Sequence, residues 1–285
     1  MTISLKTKFL IVGLGLMGGS YARALKKAGY TVYALSDEQS SIDYALENNI
    51  IDRGSWVIDE KLISSADIII FALYPHVFVK WIKENQHLIK SGTIITDVTG
   101  VKQPIIKEIN SFLRNDVEFI AAHPMAGREV HGVENSDESI FYGANYIVVP
   151  TEKNTDSAIQ ICEELGRILS FSNISRLNAK EHDEMIAFLS QLTHCLAVCL
   201  MTCNEAEHLE DYTGDSFRDL TRIANINENM WSELFLLNKD SLINMMELFE
   251  NDFIKLKSFI KNEDVDSIKE MMRRSTERRK LFNKI

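Results

Sequence analysis

Directly behind the apolar run Lys8-Phe-Leu-Ile-Val12 stand Gly13, Gly15 and Gly18 in a G-x-G-x-x-G spacing, followed by an amphipathic stretch from Tyr21 to Lys27. A strand that hands over to a helix through glycines at this spacing constrains the fold more than any other part of the chain. Gly13 permits the tight turn, Gly15 lets the backbone approach a pyrophosphate with no Cβ in the way, and Gly18 lets the helix pack closely on the strand. The helix start offers free N–H groups and a positive dipole end to the phosphates. The expectation is a dinucleotide site with Gly13, Gly15, Leu16, Met17 and Gly18 at its phosphate turn. Leu73 and Tyr74, just after a later strand, are further candidate cofactor contacts.

A second strand, Thr31–Leu35, completes the motif, and the residue at its end selects between NAD and NADP. Ser36 occupies the place where an acid is common, and Asp37 comes one step later. No Arg or Lys stands nearby to take a 2′-phosphate, and Asp37 and Glu38 repel one, so NAD is expected, with NADP left open.

Short apolar runs at Lys8–Val12, Thr31–Leu35, Asp67–Ala72, Thr93–Val98, Glu118–Ala122 and Tyr146–Val149 read as strands, with amphipathic segments between most of them. That alternation predicts an α/β Rossmann domain with a mostly parallel, doubly wound sheet. All four prolines lie at or before Pro150, and only Gly166 and Gly214 of the 13 glycines follow it. Beyond that point apolar residues recur at three- and four-residue spacing, which predicts an all-α domain. The expected division is residues 1–152, dinucleotide-binding, and residues 153–285, all-helical. Asn178 and Glu181 have the form of a capping box ahead of a helix running from Ala179 to about His208, a buried spine or a dimer interface. Further helices are expected at Glu228–Ile260 and Val265–Phe282.

The 285 residues provide for two domains. A net charge of −10, with basic residues gathering only near the end at Arg273, Arg274, Arg278 and Arg279, speaks against nucleic acid. It also means that an anionic ligand must be held by helix N-termini and single arginines. The run Phe9–Met17 is too short for a membrane span or a signal peptide, so a cytoplasmic protein without a membrane partner is expected. Cys195, Cys199 and Cys203 share one helix face, but their spacing suits packing better than a metal site, and no metal is expected.

The glycine turn, Asp97-Val-Thr-Gly-Val-Lys102, His123-Pro-Met-Ala-Gly127, the helix from His182-Asp183 to His194, and Phe217-Arg-Asp-Leu-Thr-Arg-Ile-Ala224 with Trp231 occur in one order along nearly the whole chain. In this the chain resembles the prephenate and arogenate dehydrogenases of tyrosine biosynthesis. The resemblance implies a Rossmann domain followed by a helical dimerisation domain, hence a homodimer. It implies an oxidative decarboxylation in which hydride passes to NAD, a ring carboxylate leaves as carbon dioxide and an aromatic ring forms. Prephenate is the expected substrate and arogenate the alternative.

His123, at the carboxyl end of an apolar strand, is the expected proton acceptor; a neutral imidazole with an ordinary pKa of about 6.5 suits that task. Arg222 is expected to anchor a substrate carboxylate through its planar guanidinium, with Asp219 three residues earlier holding it in place. By the resemblance His194 faces the substrate and Trp231 closes the pocket; core packing is the alternative for both. Glu129 and Arg128 are candidates on the loop after Gly127, which also carries His131. His182 and Asp183 are assigned to the first turn of their helix. Gly100 stands where the family often has a serine sharing the substrate hydroxyl, leaving Thr99 or a water as the hydroxyl source.

Two other classes share parts of this pattern. A β-hydroxy acid dehydrogenase relies on a lysine in the helical domain, and none stands within Met185–Asn204. A non-catalytic dinucleotide sensor has no use for His123 and Arg222 together.

Overall fold

The computed structural model describes residues 2–282. Its first part alternates strand and helix: β1 (Lys8–Val12), α1 (Leu16–Lys27), β2 (Thr31–Leu35), α2 (Gln39–Glu47), β3 (Arg53–Ser55), α3 (Glu60–Ser65), β4 (Ile68–Phe71), α4 (Pro75–Asn85), β5 (Ile94–Asp97), α5 (Gln103–Phe112) and β6 (Glu118–Phe119). These six strands form one parallel sheet in the order β3-β2-β1-β4-β5-β6. Strands covered on both faces must be apolar along their whole length, and Phe9, Leu10 and Ile11 of β1 and Ile69, Ile70 and Phe71 of β4 are all fully buried. The strand order reverses between β1 and β4, which opens a crevice at their carboxyl ends.

The chain then changes sheets within a few residues. The Ile120 N–H still donates to Ile95 of β5 at 3.0 Å, and β7 (Ala121–Met125) already pairs antiparallel with β8 (Asn145–Val149). After α6 (Asp156–Ile168), β9 (Asn173–Arg176) joins β8 in parallel. The α/β layer therefore runs on to Arg176, past the division expected between residues 152 and 153. The short, half-exposed strands Arg53–Ser55 and Asn173–Arg176 carried too little apolar pattern to be expected.

The capping box forms at Asn178, whose side chain accepts from the Glu181 N–H at 2.9 Å, and α7 (Ala179–Ile186) starts there. A π-helical stretch, Ala187–Leu192, leads into α8 (Thr193–Thr202). The helix stops short of His208 because the Asn204 side chain accepts from the Ala206 N–H, a local turn that competes with helical pairing. This 24-residue helix is long and apolar enough to cross a membrane by composition alone. Its buried positions His182, Asp183 and Gln191, however, are hydrogen-bonded to other parts of the protein, the behaviour of a docked helix.

Next come α9 (Asp215–Thr221) and α10 (Glu228–Leu237), then α11 (Lys239–Lys261) and α12 (Val265–Lys280). The helix expected at Glu228–Ile260 is thus two helices, broken at Asn238. That buried amide donates to the Asp183 carbonyl and to Gln191 Oε1, both at 2.8 Å, and takes up a non-helical conformation while doing so. Two compact units result, one through Asn238 and one from Lys239. Within the second, α11 and α12 pack on each other, and Leu248, Phe253, Ile254, Ile260 and Met272 remain exposed.

Candidate active site

The glycine turn lies at the β1/β4 crevice. Gly13 has φ +94°, and a Cβ there would stand 2.4 Å from the Ala72 carbonyl oxygen, so neither the turn nor the neighbouring strand end tolerates a side chain. A Cβ on Gly18 would meet the Gly13 carbonyl oxygen at 1.9 Å. Gly15 differs: nothing lies within 4 Å of its added Cβ. Its missing side chain leaves an open cradle at the start of α1, where no acidic residue in the first turn opposes an anion. These features fit the pyrophosphate of a dinucleotide.

Leu16 is buried and Met17 half-buried in the first turn of α1. Leu73 packs against Gly13, and Tyr74 caps α4 while its hydroxyl accepts from Asn227 Nδ2 at 3.2 Å. At the end of β2, Ser36 is half-buried and Asp37 exposed.

Beneath the crevice sits a buried ion pair. Asp97 ends β5, and Lys102 lies just before α5, both fully buried. The Lys102 ammonium donates to Asp97 Oδ2 at 2.7 Å, to Thr99 Oγ1 at 3.2 Å and to the Ala122 carbonyl at 2.5 Å, using all three of its protons. Asp97 Oδ1 accepts from the Ala122 N–H at 3.2 Å. Both backbone groups of Ala122 are thereby clamped, and the next residue is His123. Thr99 is 4% exposed, and its hydroxyl bonds to the Asp97 carboxylate and faces the Val101 carbonyl at 3.0 Å. Its hydroxyl is committed to this cluster, which bears on one of the two hydroxyl sources, Thr99 or a water, that the sequence left open.

His123 Nδ1 is 2.9 Å from His182 Nε2, and His182 Nδ1 is 2.7 Å from Asp183 Oδ1. Asp183 also accepts the backbone N–H groups of Lys102 and Gln103, each at 2.8 Å, and so caps the start of α5. Burial pushes the His123 pKa well below its usual value, helped by His182 and the Lys102 charge. His182 is lowered too, chiefly by burial, with Asp183 opposing. His182 and Asp183 therefore do more than serve the first turn of their helix. Their role was invisible in sequence because they touch His123 only after α7 docks, although a His-Asp pair at a helix start predicted to be buried is a usable signal. Gly100 faces the same place: a Cβ there would lie 4.0 Å from His123 Cε1 and 3.5 Å from Leu234.

A second cluster surrounds α10. The His194 and Trp231 rings stack with centroids 3.7 Å apart. His194 Nδ1 is 2.9 Å from the Ser190 carbonyl, inside the π-helical stretch, so that nitrogen carries the proton and Nε2 is left free. Burial lowers the His194 pKa, and the charges of Glu129 and Arg222 act on it from nearby. Arg222 begins a short 3₁₀ turn after α9 and pairs with Glu129, not with Asp219 as expected from their spacing. Helix α10 joins the clusters, with Trp231 at His194 and Leu234, one turn later, at Gly100 beside His123. Arg128 lies apart, exposed and paired with Asp137 at 3.2 Å.

Residues 21–168 match the family model described as prephenate dehydrogenase, nucleotide-binding domain, and residues 178–274 match prephenate dehydrogenase, dimerization domain. The prephenate dehydrogenase of Lactococcus lactis is 31% identical over 92% of this chain and 73% of its own length, and that of Bacillus subtilis is 29% identical over 93% and 73%. The crystal structure of the A. aeolicus prephenate dehydrogenase with hydroxyphenyl propionate and NAD+ is 26% identical and superimposes with a TM-score of 0.90, covering 99% of this chain and 100% of that one. The chain belongs to the prephenate dehydrogenase family of NAD-dependent oxidoreductases.

Proposed function

We propose that the protein oxidatively decarboxylates prephenate, with His123 receiving the substrate hydroxyl proton and Arg222 holding a carboxylate. The observation that carries this reading is the hydrogen-bonded His123 ring, which lies mid-strand in β7 opposite Ile147 and not at a strand end as expected, is kept neutral by burial, and opens toward Gly100. NAD, when bound at the glycine turn, supplies the carbon that accepts the hydride. The chain itself positions and moves a proton. His123 takes the hydroxyl proton as the carbon–hydrogen bond yields its electron pair, Arg222 fixes the carboxylate end, and the His194–Trp231 stack shields the ring. Loss of the ring carboxylate leaves its bonding electrons in the new aromatic ring, and the phenolic oxygen takes the proton back.

Glu129, the acid on the loop after Gly127, is already paired with Arg222, which supports a keto acid over the ammonium of arogenate. The exposed apolar residues of α11 and α12 support a homodimer through the helical region, since a two-helix hairpin gains little stability alone. Sedimentation of a purely monomeric enzyme at working concentration contradicts that part. The reading implies a cytoplasmic enzyme. It is tested by assaying His123→Asn with prephenate or arogenate and NAD or NADP. Turnover is expected to fall by about two or more powers of ten with little change in KM, prephenate and NAD being the preferred pair in the parent enzyme. Undiminished turnover removes His123 from the mechanism.

A further inference from the structure

The chain Asp183–His182–His123 runs from a fully buried carboxylate to the ring that faces Gly100, through contacts of 2.7 and 2.9 Å. The donors and acceptors along it are fixed by elimination. A carboxylate accepts, so His182 Nδ1 carries a proton and donates to Asp183. A neutral His182 then presents a bare Nε2, which can only accept, so His123 must donate from Nδ1. The lone pair of His123 is thereby forced onto Nε2.

Each link is held from outside. Asp183 is fixed by two backbone N–H groups at the start of α5, and His182 and Asp183 are less than 2% exposed. The titratable groups that face the two rings are Lys102 and Asp97 from the β5 side and Asp183 from α7. Lys102 and Asp97 are paired with each other, which leaves Asp183 as the carboxylate in contact with the histidines.

Resting on the assignment of His123 as proton acceptor, we propose that His182 and Asp183 are positioning residues forming a two-histidine proton relay. A proton arriving at His123 Nε2 is matched by transfer of the Nδ1 proton to His182 Nε2. His123 returns to neutrality as the opposite tautomer, and the positive charge comes to rest on His182 beside Asp183. Nothing is oxidised or reduced in the relay. The reverse shift returns the proton to the phenolic oxygen, so the enzyme ends the cycle in its starting state. A desolvated imidazole with no carboxylate against it is a poor place to keep a positive charge; the Lys102 ammonium acts on both rings, and the relay moves the charge onto the ring that Asp183 contacts.

Two measurements test this. Nitrogen-15 NMR of the histidines in the unliganded enzyme is expected to show His123 neutral and protonated at Nδ1; protonation at Nε2 overturns the relay without reference to activity. Kinetics then compare His182→Gln, Asp183→Asn and His123→Asn. A glutamine can accept from His123 Nδ1 and keep the tautomer, yet cannot take the proton, so His182→Gln should lower kcat by at least roughly tenfold while KM stays near the parent value. Asp183→Asn removes the charge that favours protonation, so the acid limb of its kcat profile should move to lower pH, which a purely structural role does not produce. Parent-like kcat in His182→Gln overturns the relay. If His123→Asn is inactive while His182→Gln is unimpaired, the relay fails alone; if His123→Asn is active, the assignment beneath it fails.

Discussion

The Lys102 ammonium donates to the carbonyl of Ala122 at 2.5 Å, and so a buried cation holds the backbone one residue before His123. Its pKa is lowered by burial, with Asp97 opposing, and the pair is useful only as a pair. Removing one member strands the other charge in the core. Lys102→Met is expected to cost about 3–5 kcal/mol of stability, read as a drop in the urea midpoint. An unchanged midpoint shows that Asp97 takes up a proton or a water without penalty.

The two lowered histidines give stability a pH dependence of known sign. In the unfolded chain both titrate near the ordinary value of about 6.5, whereas the folded protein holds them neutral to lower pH. Between those values the unfolded state binds more protons, so stability falls as pH drops below about 6.5. Tm measured from pH 8 downward should show this fall on top of the general carboxylate effect, and His182→Gln should weaken it. A parent and variant that fall in parallel exclude His182 as a contributor.

Gly15 and Gly18 should respond oppositely to alanine. The Gly15 Cβ enters open space, so Gly15→Ala should fold normally yet bind NAD about tenfold more weakly, as a methyl occupies the cradle. The Gly18 Cβ collides with a carbonyl oxygen at 1.9 Å, so Gly18→Ala should lose about 1–3 kcal/mol of stability. Calorimetric titration with NAD and thermal melts separate the two; equal behaviour in both assays contradicts the distinction.

Arg222 and Glu129 form a largely exposed ion pair, which contributes little to stability. Arg222→Lys should therefore melt within about 0.5 kcal/mol of the parent while KM for prephenate rises by about tenfold, because an ammonium cannot copy the planar double contact. A variant with parent KM rules out Arg222 as the carboxylate anchor.

Much of the first domain was legible because parallel strands are covered on both faces and read as plain apolar runs; β1, β2, β4 and β5 appear within a residue or two of expectation. The strands Arg53–Ser55 and Asn173–Arg176 were not, since they are held by pairing to neighbours and not by their own apolar content. In the candidate site, His123, Arg222, Glu129, His194 and Trp231 were identifiable by type and motif. Their partners were not: spacing pointed Arg222 at Asp219, and only the approach of the loop after Gly127 gave it Glu129.

Local sequence by itself determined the glycine turn, the capping box at Asn178 and the alternation of strand and helix, because each depends on backbone geometry and periodicity within a few residues. Tertiary structure alone decided that His182 meets His123 across 59 positions and that Asn238 breaks a helix to reach Asp183. Such contacts exist only when elements remote in sequence are packed together, and hydrogen-bond direction and proton placement are set by that packing.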